Sequence, residues 1–211
     1  MTNTLKRTCL YSPSQIGEIL KIARERSCQE ERRTKRYVSE QLGITLQRLN
    51  NIEAGFSQAP FELAADWCRL VEDETALAKI KHAYQISLPA TDPRLLQSVE
   101  NQFTNLIEQS KQAITAAKIL RKMGKDMRPG QSLTEQTNLE ILKLAEEILD
   151  LKQAADATLT SMRMNWNLDT EEVTRSWILE AISDRVIIPS VSKFEEIRKE
   201  QFFSARQVGR A

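Results

Sequence analysis

The residue types that most often carry catalysis are few and scattered in this sequence. It has one histidine, His82, and three cysteines, Cys9, Cys28 and Cys68, which form no CxxC or Cys/His pattern. Neither a metal site nor a disulfide framework is therefore indicated. The sequence holds no glycine-rich phosphate-binding loop, and its carboxylates are spread along predicted helices at positions typical of solvated faces. It predicts no enzyme, no cofactor and no bound metal.

The most informative local pattern lies between Leu42 and Gly55, where the chain reads LGITLQRLNNIEAG. Apolar residues recur at helical spacing at Leu46, Leu49 and Ile52, and most of the remaining side chains are Gln, Arg and Asn. Amide and guanidinium groups can form paired hydrogen bonds with base edges in the major groove of DNA. A short helix with one narrow apolar stripe is suited to present such groups to a ligand.

Short helices must position this segment. Gly43 is expected to end one helix and Gly55 the next, because glycine adopts a positive φ without strain. Thr45 is a suitable N-cap for the helix that lies between them, and Thr34 is one for the helix before Gly43. Hydrophobic periodicity predicts five short helices in this half of the chain, at about residues 13–26, 34–42, 46–54, 61–71 and 75–85.

A helix, a tight turn at Gly43 and a second helix with a narrow stripe form a helix-turn-helix. Residues 34–55, TKRYVSEQLGITLQRLNNIEAG, resemble the helix-turn-helix of the Cro and phage-repressor (Xre-like) family, and with the first helix the resemblance covers about residues 12–86. That family reads Thr-Gln-x-x-Leu-Ala, then Gly-Val-Ser, then Ile-Ser-x-Ile-Glu-x-Gly. The matching residues are Thr34, Lys35, Val38, Ser39, Gly43, Ile44, Thr45, Leu49, Asn50, Ile52, Glu53 and Gly55.

The resemblance implies that the third helix reads DNA bases. The base-reading positions of the family correspond to Leu46, Gln47 and Asn51, and a leucine there can touch a thymine methyl group. Arg24 and Glu53 correspond to positions that form an internal salt bridge in the family. The DNA-binding residues predicted in this way are Arg32, Arg33, Lys35, Arg36, Thr45, Leu46, Gln47, Arg48, Asn50 and Asn51.

A basic cluster precedes the second helix. The segment SCQEERR lengthens the connection from the first helix relative to the family, and the chain continues as RRTKR. Cations are disfavoured at a helix N-terminus, so the cluster does not serve helix stability. We expect it to contact phosphates, although a solvated face is the alternative. Lys6 and Arg7 add a further contact with DNA, or else belong to a disordered tail.

The clearest break in the chain is SLPATDPR, and we expect a linker at residues 87–93 between a DNA-binding domain, 1–86, and a helical domain, 94–211. Asp92 and Pro93 suit the N-cap and the first position of the next helix. In the second half, SLTE at 132–135 predicts a capping box, and so do Ser192 and Glu195. Residues 169–172, which begin with Asp169, predict a further helix start.

The apolar faces of this second half are wider than a two-stranded seam, which predicts a helical bundle that later helices or a second subunit must cover. The half resembles no family that we identify. The fold class predicted for the whole chain is all-α, a five-helix Cro/repressor-like domain followed by a long-helix bundle.

These patterns predict a sequence-specific DNA-binding transcriptional regulator, a homodimer that binds double-stranded DNA at a palindromic site. The homodimer is expected to form through the C-terminal helices, so that 94–211 is a dimerisation or partner-binding domain. The alternative is a protein-interaction adaptor or antitoxin-like protein that uses the helix-turn-helix as a scaffold for a protein partner. The net charge of +1 is too small to attract a charged partner by itself. Without a signal-peptide pattern or a long apolar run, the sequence predicts a cytoplasmic protein that does not enter the membrane.

Overall fold

The computed structural model describes residues 10–125, 127 and 133–208. Helices are the only regular secondary structure within these ranges, which confirms the all-α class. The nine α-helices of this described part are α1 Ile16–Glu25, α2 Lys35–Gln41, α3 Leu46–Glu53, α4 Phe61–Leu70, α5 Glu74–Ala83, α6 Val99–Gly124, α7 Glu135–Trp166, α8 Thr170–Ser183 and α9 Val191–Val208.

The chain divides into two compact units, of which the first ends at Asn165 and the second begins at Trp166. The predicted linker at 87–93 lies inside the first unit. There the Gln153 amide on α7 donates to Thr91 Oγ1 at 2.6 Å and to the Pro89 carbonyl oxygen at 3.5 Å. These contacts attach the segment to α7, and the predicted division into domains 1–86 and 94–211 stays a prediction.

The core of the first unit lies among α1 to α5. Each of these helices places apolar residues on one face at the spacing of three and four that a helix requires to bury a stripe. The largest of the side chains with almost no exposure are Ile16, Leu20, Leu49, Ile52, Trp67 and Ile80.

The turns around α3 form as the sequence predicts. Thr34 Oγ1 accepts a hydrogen bond from the Tyr37 amide, and Thr45 Oγ1 accepts one from the Arg48 amide at 3.1 Å, so each threonine caps the helix that follows it. Gly43 has φ +63°. A side chain there would be strained, because L-residues rarely adopt this region.

The long helix α6 begins later than the sequence predicts. Asp92 and Pro93 do not start it; a short 3-10 helix, Leu95–Gln97, comes first, and Ser98 is the N-cap, with its side chain accepting from the Asn101 amide. The Asp92 carboxylate instead accepts from the Arg94 amide and side chain. A local Asp–Arg pair therefore outcompetes the helix start expected from the Asp-Pro sequence.

The C-terminal part of α7 is fixed by polar contacts to the short 3-10 helix that precedes α6. Ser161 Oγ donates to the Leu96 carbonyl oxygen at 2.7 Å, and Asn165 Nδ2 donates to the same oxygen at 2.9 Å. Arg163 reaches Glu74 at the beginning of α5, with 2.7 Å between the charged atoms. Since Ser161 is fully buried, its hydrogen bond also satisfies a polar group that would be costly to leave unpaired.

Helix starts in the rest of the chain follow side-chain caps that differ in part from the predictions. Thr134 Oγ1 accepts from the Thr137 amide at the start of α7, whereas Ser132 of the predicted capping box lies outside the described residues. In the second unit, Asp169 caps α8 as its sequence indicates. Helix α9 is capped by Ser190, whose hydroxyl accepts from the Lys193 amide, and not by Ser192, which lies inside the helix.

None of the helices in the described ranges is long and apolar enough to cross a membrane.

We expect Gly17→Ala to destabilise the fold by about 1–3 kcal/mol, the usual cost of overpacking a core. A Cβ at Gly17 on α1 would lie 2.1 Å from the Ile52 carbonyl oxygen on α3, and backbone cannot yield as a flexible side chain can. Urea unfolding followed by circular dichroism measures the change. Gly124→Ala is the control, because nothing lies within 4 Å of a Cβ there, and equal stabilities for the two variants would contradict the prediction.

Candidate nucleic-acid interface

Helix α3 has one side fixed in the core and the other open to solvent. Leu49 and Ile52 are almost completely buried, and α3 packs against α1 and α2. Gln47, Arg48 and Asn50 are exposed. The helix therefore presents two amides and a guanidinium group on a rigid support.

The other DNA-binding residues predicted on and beside α3 differ in their exposure. Leu46 is 47% exposed at the first position of α3, so an apolar contact with a ligand is open to it. Thr45 is exposed, but its hydroxyl oxygen already accepts the capping hydrogen bond. Asn51 is partly buried, and its carbonyl oxygen accepts from the amides of Phe56 and Ser57. Asn51 therefore stabilises the turn that follows α3, in addition to any contact that its side chain makes at the surface of α3.

A buried ion-pair network holds α3 in place. The Glu53 side chain is 3% exposed, and its two oxygens lie 2.6 Å and 3.1 Å from nitrogens of Arg24 on α1. Lys35 at the start of α2 adds a third contact, with its Nζ 3.2 Å from the same carboxylate. The internal Arg24–Glu53 salt bridge expected from the resemblance is confirmed, and it links three helices at one carboxylate.

Lys35 also fixes a side chain on the exposed surface. Its Nζ donates to Asn50 Oδ1 at 2.8 Å, which joins the start of α2 to the middle of α3. The Lys35 side chain is 42% exposed, so its charge still faces solvent. It therefore has two roles, one towards the buried carboxylate and one on the surface.

The remaining cations of the basic cluster point in different directions. Arg32 pairs with Glu72 at 2.8 Å, and this hydrogen bond raises the pKa of Arg32 above its ordinary value. Arg33 Nε donates to the Ser27 carbonyl oxygen at 2.7 Å, and the Arg33 carbonyl oxygen accepts from Arg24. Arg32 joins the inserted segment to the turn after α4, whereas the Arg33 side chain bonds within the inserted segment. Both side chains therefore already have a partner and are less available to phosphates than the sequence suggests.

Arg36 is highly exposed, with 86% of its side chain accessible, against 18% for Arg32 and 42% for Lys35. It pairs with Glu40 one turn later on α2, at 2.8 Å, and this hydrogen bond raises the pKa of Arg36. A surface pair of this kind is weak and exchanges readily for another anion. Arg36 is therefore the residue of the cluster best placed to bind a phosphate.

Sequence reasoning missed Phe56, which is 85% exposed immediately after Gly55 and near the end of α3. Its only signal in the sequence is that it belongs to no helical apolar stripe. Beside this turn lies a cleft of about 210 Å³ between the start of α1 and the segment after α3, lined by residues that include Ser14, Gly17 and Ser57. The cleft is smaller than most small-molecule sites.

Comparison of the chain with protein-family models, with curated proteins and with solved structures finds no match in any of the three. The resemblance of residues 12–86 to the Xre-like family rests on the residues alone and stays a prediction.

We expect Arg24→Leu to lower the free energy of unfolding by about 3 kcal/mol or more, because it leaves the buried Glu53 carboxylate with only Lys35. Adding Glu53→Leu should recover part of the loss, since the double variant buries no unpaired charge. Urea unfolding gives both values. Arg36→Leu removes an exposed pair and should cause no measurable change; equal losses for Arg24 and Arg36 would contradict the prediction.

Proposed function

We propose that this chain is a sequence-specific DNA-binding transcriptional regulator whose α2–α3 segment is a helix-turn-helix of the Cro/phage-repressor type. The observation that carries the proposal is the outward set Gln47, Arg48 and Asn50 on α3, opposite a face fixed by Leu49 and Ile52. Positioned amides and guanidinium groups are the side chains that read base edges in the major groove.

Phosphate contacts complete the proposed interface. Arg36 on α2 supplies an exposed charge, and Lys35 lies beside the outer surface of α3 through its bond to Asn50. Charges of this kind give affinity and register without sequence preference. A single reading helix binds weakly, so the regulator works as a homodimer on a two-fold symmetric site in the cytoplasm.

A second candidate is a protein-interaction adaptor or antitoxin-like protein that uses the same segment as a scaffold. Leu46 and Phe56 favour it, because both are exposed apolar side chains near the ends of α3. Exposed aromatic and aliphatic side chains are typical anchors of protein interfaces. If the chain is such an adaptor, no DNA motif should be enriched from a random pool.

The test is selection of DNA from a random pool by the full chain at two salt concentrations. The regulator should enrich a symmetric motif, and affinity for that motif should fall steeply as salt rises, because binding releases counterions from the phosphates. Without an enriched motif at the lower salt concentration, the DNA-binding proposal is wrong.

Variants of the enriched complex separate base reading from phosphate binding. Gln47→Ala should weaken binding roughly 10- to 100-fold and relax the preference at one position of each half-site. Arg36→Gln should weaken binding to all sequences and reduce the salt slope by about one for each copy bound. The matched control is Gln112→Ala, an exposed glutamine on α6, which should bind as the wild type. Indistinguishable affinities for Gln47→Ala and Gln112→Ala would refute the assignment of Gln47.

A further inference from the structure

Helices α6 and α7 meet near one end of each. Thr158 Oγ1 on α7 lies 3.4 Å from the Gln102 carbonyl oxygen on α6, to which it donates. From this contact α6 continues for about 33 Å to Gly124, at 1.5 Å per residue, and α7 comes back over a similar length from Glu135. The two arms therefore run in opposite directions, and we describe them as the α6–α7 hairpin.

Each arm has an inward stripe of buried or partly buried residues. On α6 the stripe includes Leu106, Ala113 and Ala116, and on α7 it includes Leu144 and Thr158. Ala113 and Ala116, near the middle of α6, are almost fully buried, with exposures of 5% and 2%. The stripes follow the spacing of three and four residues that joins two packed helices.

Each arm also carries a second apolar stripe, which is exposed. On α6 it contains Ile107, Ile114 and Ala117, and on α7 it contains Leu142, Ala145 and Leu149. Five of these residues directly follow a buried or partly buried position, and Leu149 follows Ile148, which is itself 45% exposed. The five place both exposed stripes at a rotation of about 100° from the inward stripes, in the same sense. Because the arms run in opposite directions, this places both exposed stripes on one side of the hairpin.

Charged residues border this apolar side. Lys111 and Lys118 come four residues after Ile107 and Ile114, so they line its outer edge on α6. On α7, Glu146 comes four residues after Leu142 and lines the other outer edge. Lys118 and Glu146 have no ion-pair partner among the described residues, and Lys111 has only a 3.5 Å contact along its own helix.

The basic edge on α6 and the acidic edge on α7 lie at the same distance along the hairpin from the Gln102–Thr158 contact. Ile114 and Glu146 are separated from the Gln102–Thr158 contact by the same number of residues, and Lys111 and Lys118 lie just before and just after Ile114. A two-fold axis along the hairpin would set α6 of one copy on α7 of the other, with lysines facing the glutamate at both edges. An axis across the hairpin would set α6 on α6 and bring like charges together.

We propose that the apolar side of the α6–α7 hairpin binds a second copy of this chain, about a two-fold axis parallel to the hairpin, to form a four-helix bundle. This inference deepens the proposed function, since it supplies the interface of the homodimer. The base of the hairpin is joined to α5 by the Arg163–Glu74 pair, so both copies place α1 to α5 at the same end of the bundle. That arrangement lets two reading helices face one duplex.

The test is the dimer dissociation constant of the full chain, measured by sedimentation equilibrium without DNA and under reducing conditions. Lys118→Glu and Glu146→Lys should each raise it roughly tenfold or more, because each puts like charges together at both edges of the symmetric interface. The combination Lys118→Glu with Glu146→Lys should restore a dissociation constant close to that of the wild type. Circular dichroism checks that every variant remains helical.

The matched control places the same change of net charge on the other side of α6, as Asn105→Glu with Gln112→Glu, two exposed positions. This control should dimerise as the wild type. A monomeric wild type at high micromolar concentration overturns the inference, and so do single variants that dimerise normally or a combination that is not restored.

The outcome is independent of the DNA test. A chain that selects a DNA motif but does not respond to the charge changes refutes this interface and leaves the DNA-binding proposal standing. A chain that shows the charge rescue but enriches no motif refutes the regulator and leaves the interface standing.

Discussion

The buried carboxylate of Glu53 is the constraint on which the arrangement of α1, α2 and α3 depends. A charge out of contact with water is stable only if it is paired and hydrogen-bonded. Arg24 supplies the main pairing from α1 and Lys35 supplies a further contact from α2. Because Glu53 is the last residue of α3, meeting this requirement also fixes the orientation of the side of α3 that faces solvent.

The close approach of α1 and α3 works together with this network. Gly17 meets the Ile52 carbonyl oxygen at a distance that no side chain would allow, so the two helices can come near enough for Arg24 to reach Glu53. Small residues at helix crossings and a paired charge beside them specify one relative position. A looser crossing would leave the carboxylate without its hydrogen bonds.

The sequence predicts helices and their caps well where local chemistry decides them. Thr34, Thr45 and Asp169 cap the helices as their side chains indicate, and the all-α class follows from the apolar periodicity. The Arg24–Glu53 pair was predicted from the family resemblance and not from the spacing of the two residues. The predicted start of α6 at Asp92 was wrong, because the Asp92 carboxylate accepts a hydrogen bond from the Arg94 amide instead of capping a helix.

The destinations of charged side chains could not be predicted from the sequence. Arg32 and Arg33 are close to Arg36 in the chain, yet Arg32 pairs with Glu72, and Arg33 donates to the Ser27 carbonyl oxygen within the inserted segment. Their partners come from distant residues or from backbone atoms, which leave no periodic signal. The exposure of Phe56 could not be predicted either, because the sequence does not show whether a single aromatic residue outside an apolar stripe is buried or exposed.

The Lys35–Asn50 hydrogen bond narrows the chemistry of one side chain. The ammonium group can only donate, so the bonded atom is the amide oxygen, and the Nδ2 group of Asn50 is not part of this hydrogen bond. Paired recognition of adenine needs an acceptor and a donor from the same amide. While Lys35 keeps its place, one of the two Oδ1 lone pairs is already used. At the proposed interface, Asn50 is therefore better suited to donate to guanine O6 and N7, thymine O4 or a phosphate oxygen than to pair with adenine.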